Sequence, residues 1–121
     1  MPNPDDQGMR LDVLSSDAQA VRLRAVGRIV QSALGTSPEP IERALGGEGY
    51  SRRVLLSLAA ATFIDSSGLG WLLSCNRRFR EAAGKLVIHS VPPTILDVIK
   101  VMRLDQVLDI AEDEASALAM T

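Results

Sequence analysis

Apolar and polar residues alternate near the start of the chain in the way typical of half-buried β-strands. In residues 21–26 the alternating positions are apolar Val21, Leu23 and Ala25 and basic Arg22 and Arg24. A period of two is expected when one face of a strand packs on a core and the other meets water. Residues 9–14 are interpreted as an earlier strand and residues 15–19 as the turn, so the chain is expected to open with a hairpin.

Three short apolar runs farther along the chain predict further strands. Residues 54–58 lack clean alternation, which favours a strand covered on both faces, at the centre of a sheet. Residues 86–89 predict another buried strand, and residues 107–110 a last one.

Apolar residues at helical spacing predict one strong helix over residues 67–83, with Gly84 as its left-handed cap. Its apolar stripe consists of Leu69, Leu72, Leu73, Phe79 and Ala83. Residues 41–45, after Pro40, are interpreted as a short helix between glycine- and proline-rich loops.

Two more helices are expected in the last quarter of the chain. Pro92 and Pro93 predict a helix that continues through Val101, since proline's fixed φ suits a first turn. Acidic residues 112–114 precede a short final helix over residues 115–120, where the helix dipole favours negative charge. The expected fold is α/β: a mixed sheet with an N-terminal hairpin and about four helices.

The length of 121 residues is that of one domain. Residues 1–8 contain two prolines, two aspartates and a glycine and are interpreted as a flexible leader. Residues 9–121 are expected to form the domain.

The charge balance makes nucleic acid a poor candidate partner. Thirteen basic residues face fifteen acidic ones, a formal charge of −2, whereas duplex binding normally needs a concentrated basic excess. The short basic runs Arg52-Arg53 and Arg77-Arg78-x-Arg80 are typical of solvated faces, so no ligand is assigned to them.

The single cysteine, Cys75, and the single histidine, His89, exclude an internal disulfide and a zinc site built from such residues. Cys75 is interpreted as a buried small hydrophobe. The longest nearly apolar stretch, residues 54–64, is too short for a membrane helix, and no signal peptide opens the sequence. A cytoplasmic protein without membrane contact, metal or cofactor is expected.

The segment Asp65-Ser66-Ser67-Gly68-Leu69-Gly70 lies where a buried strand passes into the strongest helix. In open α/β sheets, ligands and chemistry collect at the carboxyl ends of strands. Helix capping alone would explain the polar residues. The two glycines cost the helix about 1 kcal/mol each relative to alanine. Either they let the helix pack closely, or they keep the surface beside Ser66 flat for another protein.

Enzyme classes that use similar segments find little support. A dinucleotide fingerprint would need a third glycine where Leu73 stands, and no phosphate-binding loop with Gly-Lys-Ser/Thr exists. A serine hydrolase would have only His89 as its base and no identified acid partner. A receiver domain with Asp65 as phosphoacceptor would need an acidic pair where Ser15-Ser16 stands.

The run Phe63-Ile64-Asp65-Ser66-Ser67-Gly68-Leu69-Gly70, followed by Leu72-Leu73, resembles the signature of the STAS domain family of anti-sigma factor antagonists. Downstream, Leu86-Val87-Ile88, Pro93 and residues 95–101 and 104–110 follow the order and spacing of the family. The resemblance covers roughly residues 9 to 118. Four residues depart from it: Val30 replaces a common Asp, Met102-Arg103 replaces the usual Thr-Gly, and Ser90 replaces a frequent Asn.

The resemblance implies a partner-switching protein that is a substrate and not a catalyst. Ser66 would be phosphorylated by a serine kinase that also acts as an anti-sigma factor. The unmodified protein would bind that kinase and free a sigma factor, and a PP2C-type phosphatase would reset the switch. The alternative is a STAS scaffold or transporter-accessory module without phosphoryl control.

Five residues beside Ser66 are expected to bind the partner: Asp65, Ser67, Gly68, Leu69 and Trp71. For Trp71 two interpretations are open. Its side chain either packs against a neighbouring helix or is a partly exposed anchor of the kind enriched at interface hot spots.

Overall fold

The computed structural model describes residues 9–30, 41 and 44–120. Five strands form one sheet in the order β1-β2-β3-β4-β5, in which β1 runs antiparallel to β2 and the other neighbours are parallel. The strands are β1 Met9–Ser16, β2 Val21–Ile29, β3 Arg53–Ile64, β4 Lys85–His89 and β5 Asp109–Ala111. The expected mixed sheet with β3 at its centre is confirmed.

Three α-helices are bounded within the described residues, where the sequence suggested about four. They are α1 Ser66–Glu81, α2 Pro93–Val101 and α3 Glu114–Ala119, with short 3₁₀ segments at Gly46–Ser51 and Leu104–Gln106. Ile41, Ala44 and Leu45 are helical as well. The predictions for the leader and for Pro40 fall outside the described residues. No helix in the described part of the chain has both the length and the apolar character needed to cross a membrane.

The opening hairpin is confirmed, and Asp17 fixes its turn. The Asp17 carboxylate accepts hydrogen bonds from the backbone N–H groups of Gln19 at 2.8 Å and Ala20 at 3.0 Å. Along β2 the alternating residues Val21, Leu23 and Ala25 are buried, while Arg22 and Arg24 are half-buried on the other face. The alternation in the sequence therefore reports the two faces of β2 correctly.

The sheet separates two hydrophobic clusters of unequal size. The larger cluster includes Leu23, Leu56, Leu72, Phe79 and Ile88, which are almost completely buried. The smaller cluster is on the opposite face and consists of Ala20, Leu55, Val87, Ala111 and Ala117, with Leu118 packed against it. Since β3 and β4 contribute to both clusters, they are covered on both faces, as their unbroken apolar runs predict.

The end of α1 differs from the prediction in its left-handed residue. Ala83, and not Gly84, has positive φ, at 63°. The Gly84 N–H donates to the Phe79 carbonyl at 2.8 Å, which closes a Schellman-type end. Gly84 is required for a different reason, because a Cβ there would lie 2.0 Å from the Tyr50 carbonyl oxygen. Ala83 is exposed, which corrects its placement in the apolar stripe.

The last strand begins two residues later than predicted, at Asp109. Val107 belongs instead to the turn after the second 3₁₀ segment, because its N–H donates to the Leu104 carbonyl at 3.0 Å. The final helix is found close to its predicted place. Its N-cap is Asp113, whose carboxylate accepts from the Ser116 N–H at 2.8 Å.

Candidate functional site

The predicted site lies where β3 ends and α1 begins. Ile64 is the last residue of β3 and pairs with Ile29, the last residue of β2. Asp65 is the extended N-cap residue, and Ser66 is the first residue of α1. The segment therefore lies at the carboxyl edge of two central parallel strands, where α/β sheets place their sites.

Asp65 holds the start of the helix in one conformation. Its Oδ1 accepts hydrogen bonds from the Ser67 hydroxyl at 2.5 Å and from the Gly68 N–H at 3.0 Å. Its backbone carbonyl accepts from the Leu69 N–H at 3.0 Å, the first bond of the helix ladder. The Ser67 hydroxyl and then the Gly68 N–H lower the pKa of Asp65 below its ordinary value. The carboxylate is therefore ionised at neutral pH and hydrogen-bonded to the first turn of α1.

The two serines of the segment differ in accessibility. Ser66 is exposed, whereas Ser67 is half-buried and its hydroxyl is committed to Asp65. An incoming protein can thus reach the first serine, while the second contributes to the cap.

The sequence left open whether the two glycines allow close packing or keep the surface flat, and the structure gives a different explanation for Gly68 and for Gly70. A Cβ on Gly68 would lie 2.0 Å from the carbonyl oxygen of Ile29, so this glycine allows α1 to pack against β2. Gly70 is exposed, and nothing lies within 4 Å of where its Cβ would be. Close packing explains Gly68, whereas Gly70 leaves a flat surface one turn after Ser66.

Leu69 and Trp71 point into the molecule. Their exposed fractions are 3% and 7%, and both belong to the larger hydrophobic cluster. The interpretation of Trp71 as a partly exposed anchor is wrong, because the large apolar ring is buried in the core. Leu69 is likewise inaccessible to a docked protein, and Gly68 is buried as well, so three of the five expected partner-binding residues face the interior.

An exposed aromatic–cation pair stands beside the site and was not predicted. The guanidinium of Arg28 lies 5.0 Å from the ring centre of Phe63, and Phe63 is 43% exposed. Arg28 and Phe63 are register partners on β2 and β3, near the carboxyl ends of both strands. The alternation that places Arg22 and Arg24 on the outer face, continued along β2, would have indicated Arg28.

His89 is not placed to act as a base for Ser66. It pairs in register with Ser57 on β3, and six further residues of β3 separate Ser57 from Ile64. At about 3.3 Å per residue this is a distance of roughly 20 Å. The imidazole is buried, with Nδ1 2.9 Å from the Ser90 hydroxyl oxygen, and burial lowers the pKa of His89.

The receiver alternative also disagrees with the topology. Ser16 pairs with Val21, the first residue of β2, because β1 and β2 are antiparallel. Ser15 and Ser16 therefore lie beside the amino ends of the parallel strands, whereas Asp65 lies at their carboxyl ends. The two serines do not occupy the place of an acidic pair beside Asp65.

Fold and site define a small mixed α/β domain that presents an exposed serine, beside a capping aspartate, at one edge of its sheet. A model of the STAS domain matches residues 14–117. The chain therefore belongs to the STAS domain family, and the resemblance seen in the sequence is confirmed.

Solved structures with the same fold come from different biological settings. A STAS domain anti-sigma-factor antagonist from Planctomyces limnophilus has a TM-score of 0.72 and 22% identity, covering 93% of this chain and 97% of that one. The phosphorylated form of the Bacillus cell fate determinant SpoIIAA has a TM-score of 0.62 and 20% identity, covering 94% and 100%.

The murine anion transporter Solute Carrier 26 family member A9, in its inward-facing state, has a TM-score of 0.73 and 10% identity. The similarity covers 93% of this chain but 21% of the transporter chain. At these identities the likenesses concern the fold.

Proposed function

We propose that this chain is an anti-sigma factor antagonist that works by partner switching in the cytoplasm. The unmodified protein binds a serine kinase that is also an anti-sigma factor, and this frees a sigma factor for transcription. The kinase transfers the γ-phosphoryl group of ATP to the Ser66 oxygen, with loss of the hydroxyl proton and release of ADP. Phosphorylated protein leaves the kinase, and a PP2C-type phosphatase restores it.

The observation that carries the proposal is the exposure of Ser66 at the first position of α1. A kinase must reach the acceptor oxygen, and this serine is accessible while Ser67 is engaged with Asp65. The ordered cap presents the acceptor in a fixed place.

The same location lets the fold tolerate a phosphate. A phosphoserine adds about −1.5 to −2 charges, and a helix N-terminus stabilises negative charge. The neighbouring Asp65 carboxylate is already hydrogen-bonded to Ser67 and Gly68. We expect the domain to stay folded after modification.

A docked partner would respond differently to this charge. Burying an unpaired charge in an interface costs on the order of 3–5 kcal/mol. With 1.4 kcal/mol for each tenfold change in affinity, the complex weakens by about a hundredfold or more. A change of this size is sufficient to operate a switch.

The similar structures support this function over a generic binding role. Two of them are named as an anti-sigma-factor antagonist and as a phosphorylated cell fate determinant, respectively. Those names apply to those proteins, and the accessible Ser66 is what brings the comparison to this chain.

Phosphate mapping tests the acceptor. The purified chain is incubated with ATP and the serine kinases of the anti-sigma type from its own organism, and the products are mapped by mass spectrometry. We expect one phosphate on Ser66, none on Ser66→Ala and normal labelling of Ser67→Ala. Phosphate that persists on Ser66→Ala would refute the assignment.

Affinity measurements test the switch. Calorimetric titration of the kinase with unmodified chain, phosphorylated chain and Ser66→Asp should give decreasing affinity from the first to the second, with Ser66→Asp in between. Treatment of the phosphorylated chain with a PP2C-type phosphatase should restore binding. Equal affinity of the modified and unmodified chains would contradict the switch.

The second candidate is a transporter-accessory module, favoured by the fold shared with part of the murine anion transporter. In that case Ser66→Asp should not change binding, and the chain should co-purify with a membrane transporter. The titration with Ser66→Asp separates the two functions.

A further inference from the structure

One face of α1 continues from Ser66 toward the far end of the helix. At 100° per residue, positions 4, 7, 11 and 14 after Ser66 fall within about 40° of it. We call this set the α1 stripe: Ser66, Gly70, Leu73, Arg77 and Arg80. Whatever docks against Ser66 is therefore aligned with an apolar side chain and two cations farther along the helix.

The far half of the α1 stripe borders a groove of about 300 Å³. Its lining consists of Leu73, Ser74, Asn76, Arg77, Arg80 and Val107. Leu73 is half-buried and Val107 is 42% exposed, so the groove has an apolar floor open to solvent. Five of these six residues belong to α1, so the groove follows the helix.

Val107 is held in place by two side chains of α1. Its carbonyl oxygen accepts hydrogen bonds from the Asn76 side-chain amide at 3.4 Å and from the Arg80 guanidinium at 3.2 Å. Asn76 is 4% exposed, so this contact is anchored from beneath. The same bond to Arg80 fixes that cation at the rim.

The charge of the groove is uncompensated within the described residues. Arg77 and Arg80 form no ion pair there, although Glu81 is close in sequence, and no carboxylate lines the groove. In contrast, Arg10, Arg22 and Arg24 on the hairpin all pair with carboxylates. Carboxylates are the natural partners of such guanidinium groups.

From this combination we infer that the groove binds an acidic segment of a partner protein. An apolar side chain of that segment packs between Leu73 and Val107, and carboxylates about 6 Å and about 10 Å farther along the helix pair with Arg77 and Arg80, respectively. A protein fits better than nucleic acid, because two arginines beside an apolar floor do not form an extended basic track. This inference rests on the proposed function in one respect: the α1 stripe places the acidic segment on the same partner that reaches Ser66.

A titration with a defined probe tests the groove without knowledge of the partner. The probe is a short amphipathic helical peptide of leucine, glutamate and alanine, and its twin has lysine in place of every glutamate. Amide shifts of the ¹⁵N-labelled full chain are followed by NMR. We expect the glutamate peptide to shift Leu73, Arg77, Arg80 and Val107, and the lysine twin to leave them unchanged.

Charge variants give the matched controls. Arg77→Glu should weaken binding of the glutamate peptide at least tenfold, and Arg77→Lys much less. Arg53→Glu makes the same charge change at an exposed residue at the start of β3 and should bind normally. Equal weakening by Arg53→Glu, or shifts with the lysine twin, would overturn the inference.

Two further arms separate the partner classes and the two proposals. If duplex DNA or phosphatidylserine vesicles shift the groove amides at lower concentration than the glutamate peptide, a protein partner is the wrong class. Peptide binding in Ser66→Asp should equal that of the unchanged protein. If Ser66 is not phosphorylated but the peptide binds, only the proposed function fails; if Ser66 is phosphorylated and the peptide does not bind, only the groove inference fails.

Discussion

The Asp65 side chain caps α1 through its hydrogen bonds and also carries a negative charge, and substitution can separate these two contributions. Its carboxylate caps α1, and hydrogen bonds from Ser67 and Gly68 lower the pKa of Asp65. A group whose folded pKa is lowered stabilises the protein above its ordinary pKa, and this stabilisation disappears as pH falls through the lowered value. The cap therefore contributes stability at neutral pH that acid removes below about pH 4.

We expect Asp65→Ala to lose about 1 kcal/mol of unfolding free energy at pH 7, since alanine cannot cap. Asp65→Asn keeps an acceptor for the Gly68 N–H and should lose less. The stability difference between the unchanged protein and Asp65→Asn should shrink as pH falls below about 4. Urea unfolding at several pH values measures this, and a difference that does not vary with pH would argue against an ionised cap.

The two glycines of the segment should respond in opposite ways to the same substitution. Gly68→Ala places a Cβ against the backbone carbonyl of Ile29, which cannot move aside cheaply. We expect a loss of about 3 kcal/mol, at the upper end of overpacking costs. Gly70→Ala meets no atom within 4 Å and should gain up to about 1 kcal/mol through helix propensity.

Stability and binding together test the role of Gly70. If its flat surface is a contact for the kinase, Gly70→Ala should fold at least as well as the unchanged protein and yet bind the kinase more weakly. Urea unfolding and calorimetry on the same sample give both quantities. Unchanged affinity would remove Gly70 from the interface.

At the scale of elements, the ends of α1 and α2 contain left-handed residues that are not glycine. Ala83 follows α1 with φ of 63°, and Arg103 follows α2 with φ of 58°. Arg103 stands where the family usually has Gly, and Ser90, where Asn is frequent, has φ of 57°. Gly and Asn are the residues that adopt this conformation most readily. These two departures from the family pattern, Arg103 and Ser90, are therefore both at positions with a left-handed backbone conformation.

Glycine at these helix ends should therefore stabilise the fold. The left-handed conformation costs an ordinary residue about 1 kcal/mol, and glycine avoids this cost. The larger backbone entropy of glycine in the unfolded chain offsets part of the gain. We expect Ala83→Gly and Arg103→Gly each to gain up to about 1 kcal/mol in urea unfolding. Gly84→Ala is the contrasting control and should lose stability, because its Cβ would meet the Tyr50 carbonyl. Lower stability of both glycine variants would contradict this account.

For the whole molecule, hydrophobic periodicity predicted the hairpin and α1, unbroken apolar runs predicted the central strands, and the proline pair predicted α2, because each of these signals is local in the sequence. Contacts between distant segments were not readable in this way. The strand after α2 starts late because the Val107 backbone is used by Leu104, Asn76 and Arg80. Gly84 is explained by Tyr50, more than thirty residues away.

The candidate site could be predicted from the sequence to a similar extent. Strand and helix patterns alone placed Ser66 directly before the predicted helix start at residue 67, one residue from the observed start. The burial of Trp71 does not, because helical spacing places it at the margin of the apolar stripe and the packing around it decides. Arg28 and Phe63 became neighbours through strand register, which local sequence does not specify.

The two faces of the sheet should unfold as one unit, because β3 and β4 contribute to both hydrophobic clusters. Trp71, the one tryptophan of the chain, belongs to the larger cluster, while Ala117 of α3 is fully buried in the smaller one. Ala117→Glu buries an unpaired charge, and we expect a loss of about 3 kcal/mol. Trp71 lies on the opposite face of the sheet, and we expect its fluorescence to show a lower urea midpoint in this variant than in the unchanged protein. Far-ultraviolet circular dichroism should give the same lower midpoint. Ala119→Glu, at an exposed position of the same helix, should leave the midpoint nearly unchanged. A fluorescence midpoint that Ala117→Glu does not move would mean that α3 detaches from a sheet that remains folded.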